Sequence, residues 1–254
     1  MSLQGRIVCV TGASSGIGAA CVDAFAEAGA RLLLCARRGD RLHESVAGLR
    51  AAGVEAHAFE LDVREREAVA AAFADLPQDW QAIDILVNNA GLSRGLDPIQ
   101  SGLLDDWDEM LETNVQGLLY VSRAVLPGMI ERGSGHLINI GSIAGREVYP
   151  NGAVYCASKH AVGAITKGMR LDLNGTGVKV STVDPGLVNT EFSKVRFHGD
   201  EAKADKTYQG MTPLVGADVA SVVRWVAEQP AHMNIAEVLV FPSDQASATV
   251  VHRR

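Results

Sequence analysis

Short apolar runs alternate with longer helix-period runs along nearly the whole chain, and nothing else in the sequence constrains the fold as strongly. Strand candidates are Arg6–Val10, Arg31–Ala36, Glu55–Leu61, Ile83–Val87, His136–Ile140, Lys179–Val183 and Glu237–Phe241. Most are rich in Val, Ile and Leu with little alternation, as strands buried on both faces of a parallel sheet are. Between them lie helical patterns at Gly18–Ala28, Arg41–Ala52, Glu65–Leu76, Leu104–Glu131, Ala153–Asn174 and Ala217–Glu228. Such alternation argues for βαβ units with right-handed crossovers. No repeat of 20–50 residues, low-complexity linker or second core is visible, so residues 1–254 read as one α/β domain. The stretch Gly186–Pro213 lacks periodicity and is charged between Lys194 and Lys206. Loops of that length in compact domains are usually functional or disordered. With no length left for a separate substrate domain, substrate is expected to be held by Ser142–Tyr149 and by the 186–213 loop.

Composition removes several function classes. The 23 Lys+Arg against 30 Asp+Glu give a net charge of −7, which disfavours a nucleic-acid-binding scaffold. The longest stretch without a charged side chain, Ile7 to Val22, contains Thr, two Ser and three Gly. It is shorter than the ~18 apolar residues of a membrane span, so no membrane association is expected. No basic segment leads into an apolar run and cleavage site. Cys9, Cys21, Cys35 and Cys156 are scattered without a CxxC pair, which suits reduced thiols in the cytoplasm. His43, His57, His136, His232 and His252 show no ligand spacing, so no metal is expected.

Thr11-Gly12-Ala13-Ser14-Ser15-Gly16-Ile17-Gly18 follows the first strand candidate and opens the first helix. A tight turn needs glycine dihedrals, and backbone must approach a pyrophosphate closely. The helix N-terminus then offers free N–H groups and a favourable dipole. The spacing G-x-x-x-G-x-G differs from the general dinucleotide fingerprint, but its place between strand and helix makes it informative. The second strand ends in Arg37-Arg38, with no carboxylate until Asp40. An Asp or Glu near this point suits the ribose hydroxyls of NAD(H), whereas Arg accommodates a 2′-phosphate, so the pair argues for NADP(H). Asp62 and Val63 close the third strand, where adenine would lie. Asn89 closes the fourth, beneath the nicotinamide side.

Tyr155 and Lys159 are four residues apart in a helical pattern and project from one face. A nearby ammonium favours phenolate and lowers the tyrosine pKa, which is the physical logic of an acid–base pair. Ser142 lies just past the fifth strand, at the edge where ligands bind, with a hydroxyl able to donate to a carbonyl oxygen. Asn114 lies inside a helical run, where a polar amide would kink the helix or hold a water.

The set resembles the short-chain dehydrogenase/reductase family. It is carried by Thr11 to Gly18, Asn88 to Gly91, Asn114, Ser142, Tyr155 to Lys159 and Asp184-Pro185-Gly186, in order over nearly the whole chain. The resemblance implies a Rossmann-type doubly wound parallel sheet of about seven strands, order 3-2-1-4-5-6-7, and hydride transfer at the nicotinamide. It implies Tyr155 as acid–base, Lys159 on the nicotinamide ribose, Ser142 orienting substrate and Asn114 holding a relay water. Pro185, Gly186, Val188 and Thr190 would contact the nicotinamide amide and pyrophosphate. A homotetramer or homodimer is implied, with Leu104–Glu131 and Ala153–Asn174 between subunits. Leu76-Pro77-Gln78-Asp79-Trp80, Glu191 to Phe197 and Val251-His252-Arg253 look like a bacterial branch of NADP-dependent 3-hydroxy acid dehydrogenases, which act on serine and allo-threonine; sulfoacetaldehyde reductases are similar. Arg146 and Glu147 depart from that branch, as does Arg94.

Substrate candidates follow from side-chain chemistry. Arg146 is placed to clamp a carboxylate bidentately, as against a surface or interface arginine. Tyr149 would wall the pocket, as against ordinary packing. Arg196 and His198 read as a solvated charge cluster in preference to a lid over the substrate. The expected function is an NADP(H)-dependent oxidoreductase of a small-molecule hydroxy acid. Rivals are a reductase of bulkier ketones, sugar alcohols or 3-oxoacyl thioesters, and a non-catalytic cofactor-binding regulator.

Overall fold

The computed structural model describes residues 2–254. In chain order the elements are β1 (Ile7–Thr11), α1 (Gly16–Glu27), β2 (Arg31–Ala36), α2 (Gly39–Ala51), β3 (Ala56–Glu60), α3 (Arg66–Ala74), β4 (Ile85–Asn88), α4 (Leu104–Leu111), α5 (Leu118–Glu131), β5 (Gly135–Ile140) and α6 (Ala153–Asp172). β6 (Val178–Pro185), β7 (Val188–Asn189), α7 (Phe192–Arg196), α8 (Glu201–Lys206), β8 (Leu214–Val215), α9 (Gly216–Glu228) and β9 (Glu237–Val240) complete it. Seven strands form one parallel sheet in the order β3-β2-β1-β4-β5-β6-β9. This is the expected order once the short β7–β8 pair, a separate two-stranded ribbon, is counted.

The unbroken apolar strands follow from burial on both faces. Val8 and Val10 of β1 join Leu32 and Leu34 of β2 in a core beneath α1 and α9. Ile7 and Cys9 join Leu33 and Cys35 in a second core with residues of α3 and α5. A third, small cluster of Leu92, Met110, Ala144, Tyr155 and Cys156 lies beyond the sheet's C-terminal edge.

Two segments differ from the pattern-based expectation. The run Leu104–Glu131 is interrupted by a π-helical turn at Glu112–Gly117 between α4 and α5. The side chain of Asn114 bonds back to Leu92, accepting from its N–H and donating to its carbonyl, each at 2.8 Å. Val63 packs so close to Gly117 that a Cβ there would lie 2.6 Å from Val63 Cγ2. Such an extra residue in one turn is a common device at functional sites. The 186–213 segment is also not structureless, since β7, α7 and α8 lie within it; each is too short for hydrophobic periodicity to register.

Candidate active site

The strand order reverses between β1 and β4, and ligands of such sheets bind outside the strand ends at that point. The ends of β1, β4, β5 and β6 open there onto a cleft of about 950 Å³. Gly12, Ser14, Ser15, Gly16 and Ile17 line one end, with Arg37, Arg38, Asp62 and Val63. Asn89, Ser142, Tyr149, Tyr155, Lys159, Pro185, Gly186, Val188 and Thr190 line the rest.

The glycine turn is fixed by side-chain bonds onto main-chain groups. Thr11 Oγ1 accepts from the N–H groups of Asn89 and Ala90 at 3.0 and 2.9 Å, and Asn89 Nδ2 donates to Thr11 O at 2.8 Å. Gly12 and Gly16 have φ of +65° and +57°, a region L side chains rarely adopt. Gly18 does not line the cleft but sits behind the turn, where a Cβ would lie 2.3 Å from Gly12 O. α1 starts at Gly16 with no acidic residue in its first turn, which leaves its N-terminal dipole free to attract an anion. Across the cleft, Thr190 Cβ would lie 3.3 Å from a Cβ on Gly16, so turn and 186–190 segment face each other.

At the adenine end Arg38 donates to Ser14 Oγ at 3.1 Å, to Ser15 Oγ and to Glu191. Arg37 is half-exposed beside Glu109 at 3.5 Å. Asp62 is engaged by Arg64. The residues present fit a 2′-phosphorylated dinucleotide: a cradle a Cβ would fill, a bare helix start and arginines at the rim. Thr113 Oγ1, buried without a partner, belongs to a residue that lines the same cleft.

At the other end Ser142 caps a 3-10 turn (Ile143–Gly145), its Oγ accepting from Ala144 N at 3.1 Å. The same hydroxyl hydrogen-bonds the Tyr155 phenol. Tyr155 and Lys159 project together from α6 and both are buried. Burial raises the Tyr155 pKa above its ordinary value and Tyr149 adds to this, while Arg196 and a hydrogen bond with Ser142 oppose it. Lys159 Nζ donates to Ile140 O at 2.9 Å; burial lowers its pKa to about 8 against the pull of Asp184. The cation set directly against the phenol is therefore Arg196, its Cζ 5.1 Å from the Tyr155 ring centre, rather than the lysine alone as expected.

A family model for the short chain dehydrogenases matches residues 6–201. The chain belongs to that family. It is 46% identical over 250 residues to the NADP-dependent 3-hydroxy acid dehydrogenase YdfG of Escherichia coli K12, covering 98% of this chain and 100% of the relative. It is 45% identical to sulfoacetaldehyde reductase 2 of Chromohalobacter salexigens, over 97% and 98% of the two chains. A solved structure described as the closed form of serine dehydrogenase complexed with NADP+ superposes with a TM-score of 0.93 at 46% identity, covering 98% of this chain and 100% of the other.

Within this short-chain dehydrogenase cleft, three expected side chains stand elsewhere or act otherwise. Arg146 does not line it. Its guanidinium pairs with Asp184 at 2.6 Å and Glu237 at 2.7 Å, so the carboxylate clamp expected of Arg146 is corrected to an ion pair tying the Ser142 turn to β6 and β9. Asn114 also lies behind the lining, its amide committed to Leu92 and Ser158; Ser158 in turn donates to Tyr155 O at 2.7 Å. The side chain thus holds the turn after β4 against α6. Arg196 is not solvated: it donates to Ser93 Oγ at 2.9 Å and Tyr149 Oη at 3.0 Å and lies over Phe192. Tyr149 does wall the pocket. His198 turns away to Asp106 at 3.1 Å. Phe192 and Glu191 also line the cleft, and no local pattern marks them.

Proposed function

We propose that this chain is an NADP(H)-dependent oxidoreductase interconverting a small hydroxy acid, of the 3-hydroxy acid class, with its oxo or semialdehyde form. The observation that carries the substrate class is Arg196. A guanidinium held by Ser93 and Tyr149, its Cζ 5.1 Å from the centre of the acid–base ring, offers an anion anchor beside the reacting group. A neutral ketone or a bulky thioester would leave that half-buried charge unpaired, which disfavours both. The names of the relatives point the same way.

Gly12 to Ile17, Arg37, Arg38, Asp62, Val63, Asn89, Lys159 and Pro185 to Thr190 would hold the dinucleotide. Bound there, NADP(H) supplies the hydride donor or acceptor. The Tyr155 phenol, kept protonated by burial, gives its proton to the carbonyl oxygen during reduction. The Ser142 hydroxyl, which sits beside the phenol, turns its proton to the same oxygen and stabilises charge developing on it. In the oxidative direction Tyr155 must be deprotonated, so oxidation rises with pH while reduction runs at neutral pH. The intact Asn114, Ser142, Tyr155 and Lys159 set is more than a cofactor-binding regulator needs.

The test follows NADPH oxidation with a series of short oxo acids and their amide or ester analogues. Arg196→Met is expected to raise KM for the acids by about ten-fold or more, the scale of a charge-assisted hydrogen bond, and to leave the uncharged analogues within two- to three-fold. Equal effects on both series overturn the anchor.

The proposal includes self-association. Leu104, Leu111, Leu119 and Ile130 expose apolar surface along α4 and α5, and a homotetramer or homodimer would cover it; a monomer by light scattering overturns this. All four cysteines are free and buried, consistent with a proposed cytoplasmic location. Among the described residues no helix is long and apolar enough to cross a membrane, and no cluster of three His, Cys, Asp or Glu is placed to hold a metal.

A further inference from the structure

Three consecutive residues after β4 take hold of the last two residues of α7. Ser93 Oγ accepts from Arg196 Nε at 2.9 Å, Arg94 Nη1 donates to Val195 O at 2.7 Å, and Gly95 N donates to Arg196 O at 2.9 Å. Gly95 has φ of +61°, a bend that glycine supplies at little steric cost. The two arginines in this contact are used differently. Arg94 has every guanidinium nitrogen on a protein acceptor: Nε and Nη2 reach Glu109 at 2.6 and 3.3 Å, and Nη1 reaches Val195. Arg196 commits Nε to Ser93 and Nη2 to Tyr149, and its Nη1 has no acceptor among the described residues. The first guanidinium is thus a clamp, and the second keeps a donor for a ligand.

The clamp is charged and partly buried, with 20% of the Arg94 and 18% of the Glu109 side chain accessible. Burial pushes the Glu109 carboxyl up, and Arg94, Arg37 and Arg64 together bring it below its ordinary value, so the pair is ionised at neutral pH. A guanidinium held at two points by one carboxylate has little freedom left for its third donor. We propose that Arg94 is a positioning residue that sets selectivity for anionic substrates: locked on Glu109, it fixes the main chain at Val195 and so keeps Arg196 in place beside Tyr155. The inference deepens the reading of Arg196 as substrate anchor and rests on it. The surrounding segment has supports of its own, since Ser193 and Tyr208 share a hydrogen bond at 2.7 Å and His198 reaches Asp106 at 3.1 Å. Loss of Arg94 therefore loosens the end of α7 and not the whole 186–213 stretch. Ser93 and Gly95 still hold Arg196, so the effect is smaller than that of removing the anchor itself.

The experiment measures KM and kcat for short oxo acids and their amide or ester analogues at saturating NADPH. Arg94→Met is expected to raise KM for the acids about three- to five-fold, the scale of one ordinary hydrogen bond, and to leave the uncharged analogues within about two-fold in both constants. A merely structural loss would lower kcat for both series together and overturns the inference. In the Arg196→Met background the same substitution is expected to raise acid KM no further, because a positioning residue acts only through what it positions. An additive effect would make Arg94 a direct substrate contact and overturns the inference. Methionine at this position also uncovers the Glu109 carboxylate near an anion, so Arg94→Met is repeated together with Glu109→Gln. That double variant is expected to keep the raised acid KM; a return to the wild-type value would make the effect one of charge alone and overturns the inference. Should Arg94→Met fail to fold, Arg94→Lys, which keeps the charge without the fork, carries the same expectations. If Arg196→Met shifts the acid-to-uncharged ratio and the Arg94 variants do not, the inference falls and the anchor reading stands. If neither shifts it, both fall.

Discussion

The two ends of the cleft are built from different materials. The glycine-turn end is held on main-chain groups: Thr11 and Asn89 side chains bond to backbone, and glycines supply the dihedrals and the close approach. The substrate end is held by charged and aromatic side chains. Arg196 reaches Ser93 and Tyr149, and Arg94 reaches Val195, over separations of 103, 47 and 101 residues. A backbone-built site tolerates few substitutions, because any added atom meets backbone. A side-chain-built site is retuned by exchanging one residue, so two relatives with differing named substrates can share one framework.

The sharpest test lies where the two ends meet. Tyr155→Phe removes only the phenolic oxygen from a ring packed against Phe192 and Arg196. General acid–base groups contribute about 10²–10⁴-fold, so kcat is expected to fall on that scale while NADP+ titration stays near wild type. Turnover near wild type would break the mechanism.

Next in size is a break confined to the backbone-built end. Gly18→Ala sets a Cβ 2.3 Å from Gly12 O, a backbone atom, and 2.5 Å from Asn89 Nδ2, a side-chain amide held on Thr11 O. Overpacking of this kind costs about 1–3 kcal/mol, and NADP+ dissociation constants are expected to rise about ten-fold or more. The ratio of KM values for acids and their uncharged analogues is expected not to change. A shift in that ratio would show that the two ends are not separable.

This difference in materials also explains what could be read from residue order. The sheet was legible because burial on both faces writes unbroken apolar runs. The cofactor end was legible because glycine spacing and the Arg37-Arg38 pair are local. The π-helical turn was not, since apolar periodicity carries across it; Asn114 hinted at a kink, but the bond to Leu92 that makes it is tertiary. Arg196 lies in a polar, aperiodic stretch where a solvated and an anchored arginine look alike. Arg146, beside Ser142 in sequence, looked better placed for substrate, and only the position of Asp184 and Glu237 removes it.

The smallest expected effect tests that exchange of roles. In Arg146→Met the buried Asp184 keeps Thr182 as a donor at 2.7 Å but loses its cation. Removing one partner of a buried pair costs about 3–5 kcal/mol, whereas exposed pairs contribute about 0–1. Arg146 is one-third exposed and Asp184 is buried, so the loss belongs between these limits, about 1–2 kcal/mol by urea titration. Since Arg146 lies outside the cleft lining, KM for the acids is expected to stay within about two-fold, a range far below the effect of losing a charge-assisted contact to substrate. Arg196→Met should show the reverse, a large KM effect with little loss of stability. Were Arg146→Met instead to raise acid KM ten-fold at unchanged stability, the guanidinium would have to leave Asp184 for the substrate during turnover, and the boundary of the side-chain-built end would move to include the Ser142 turn.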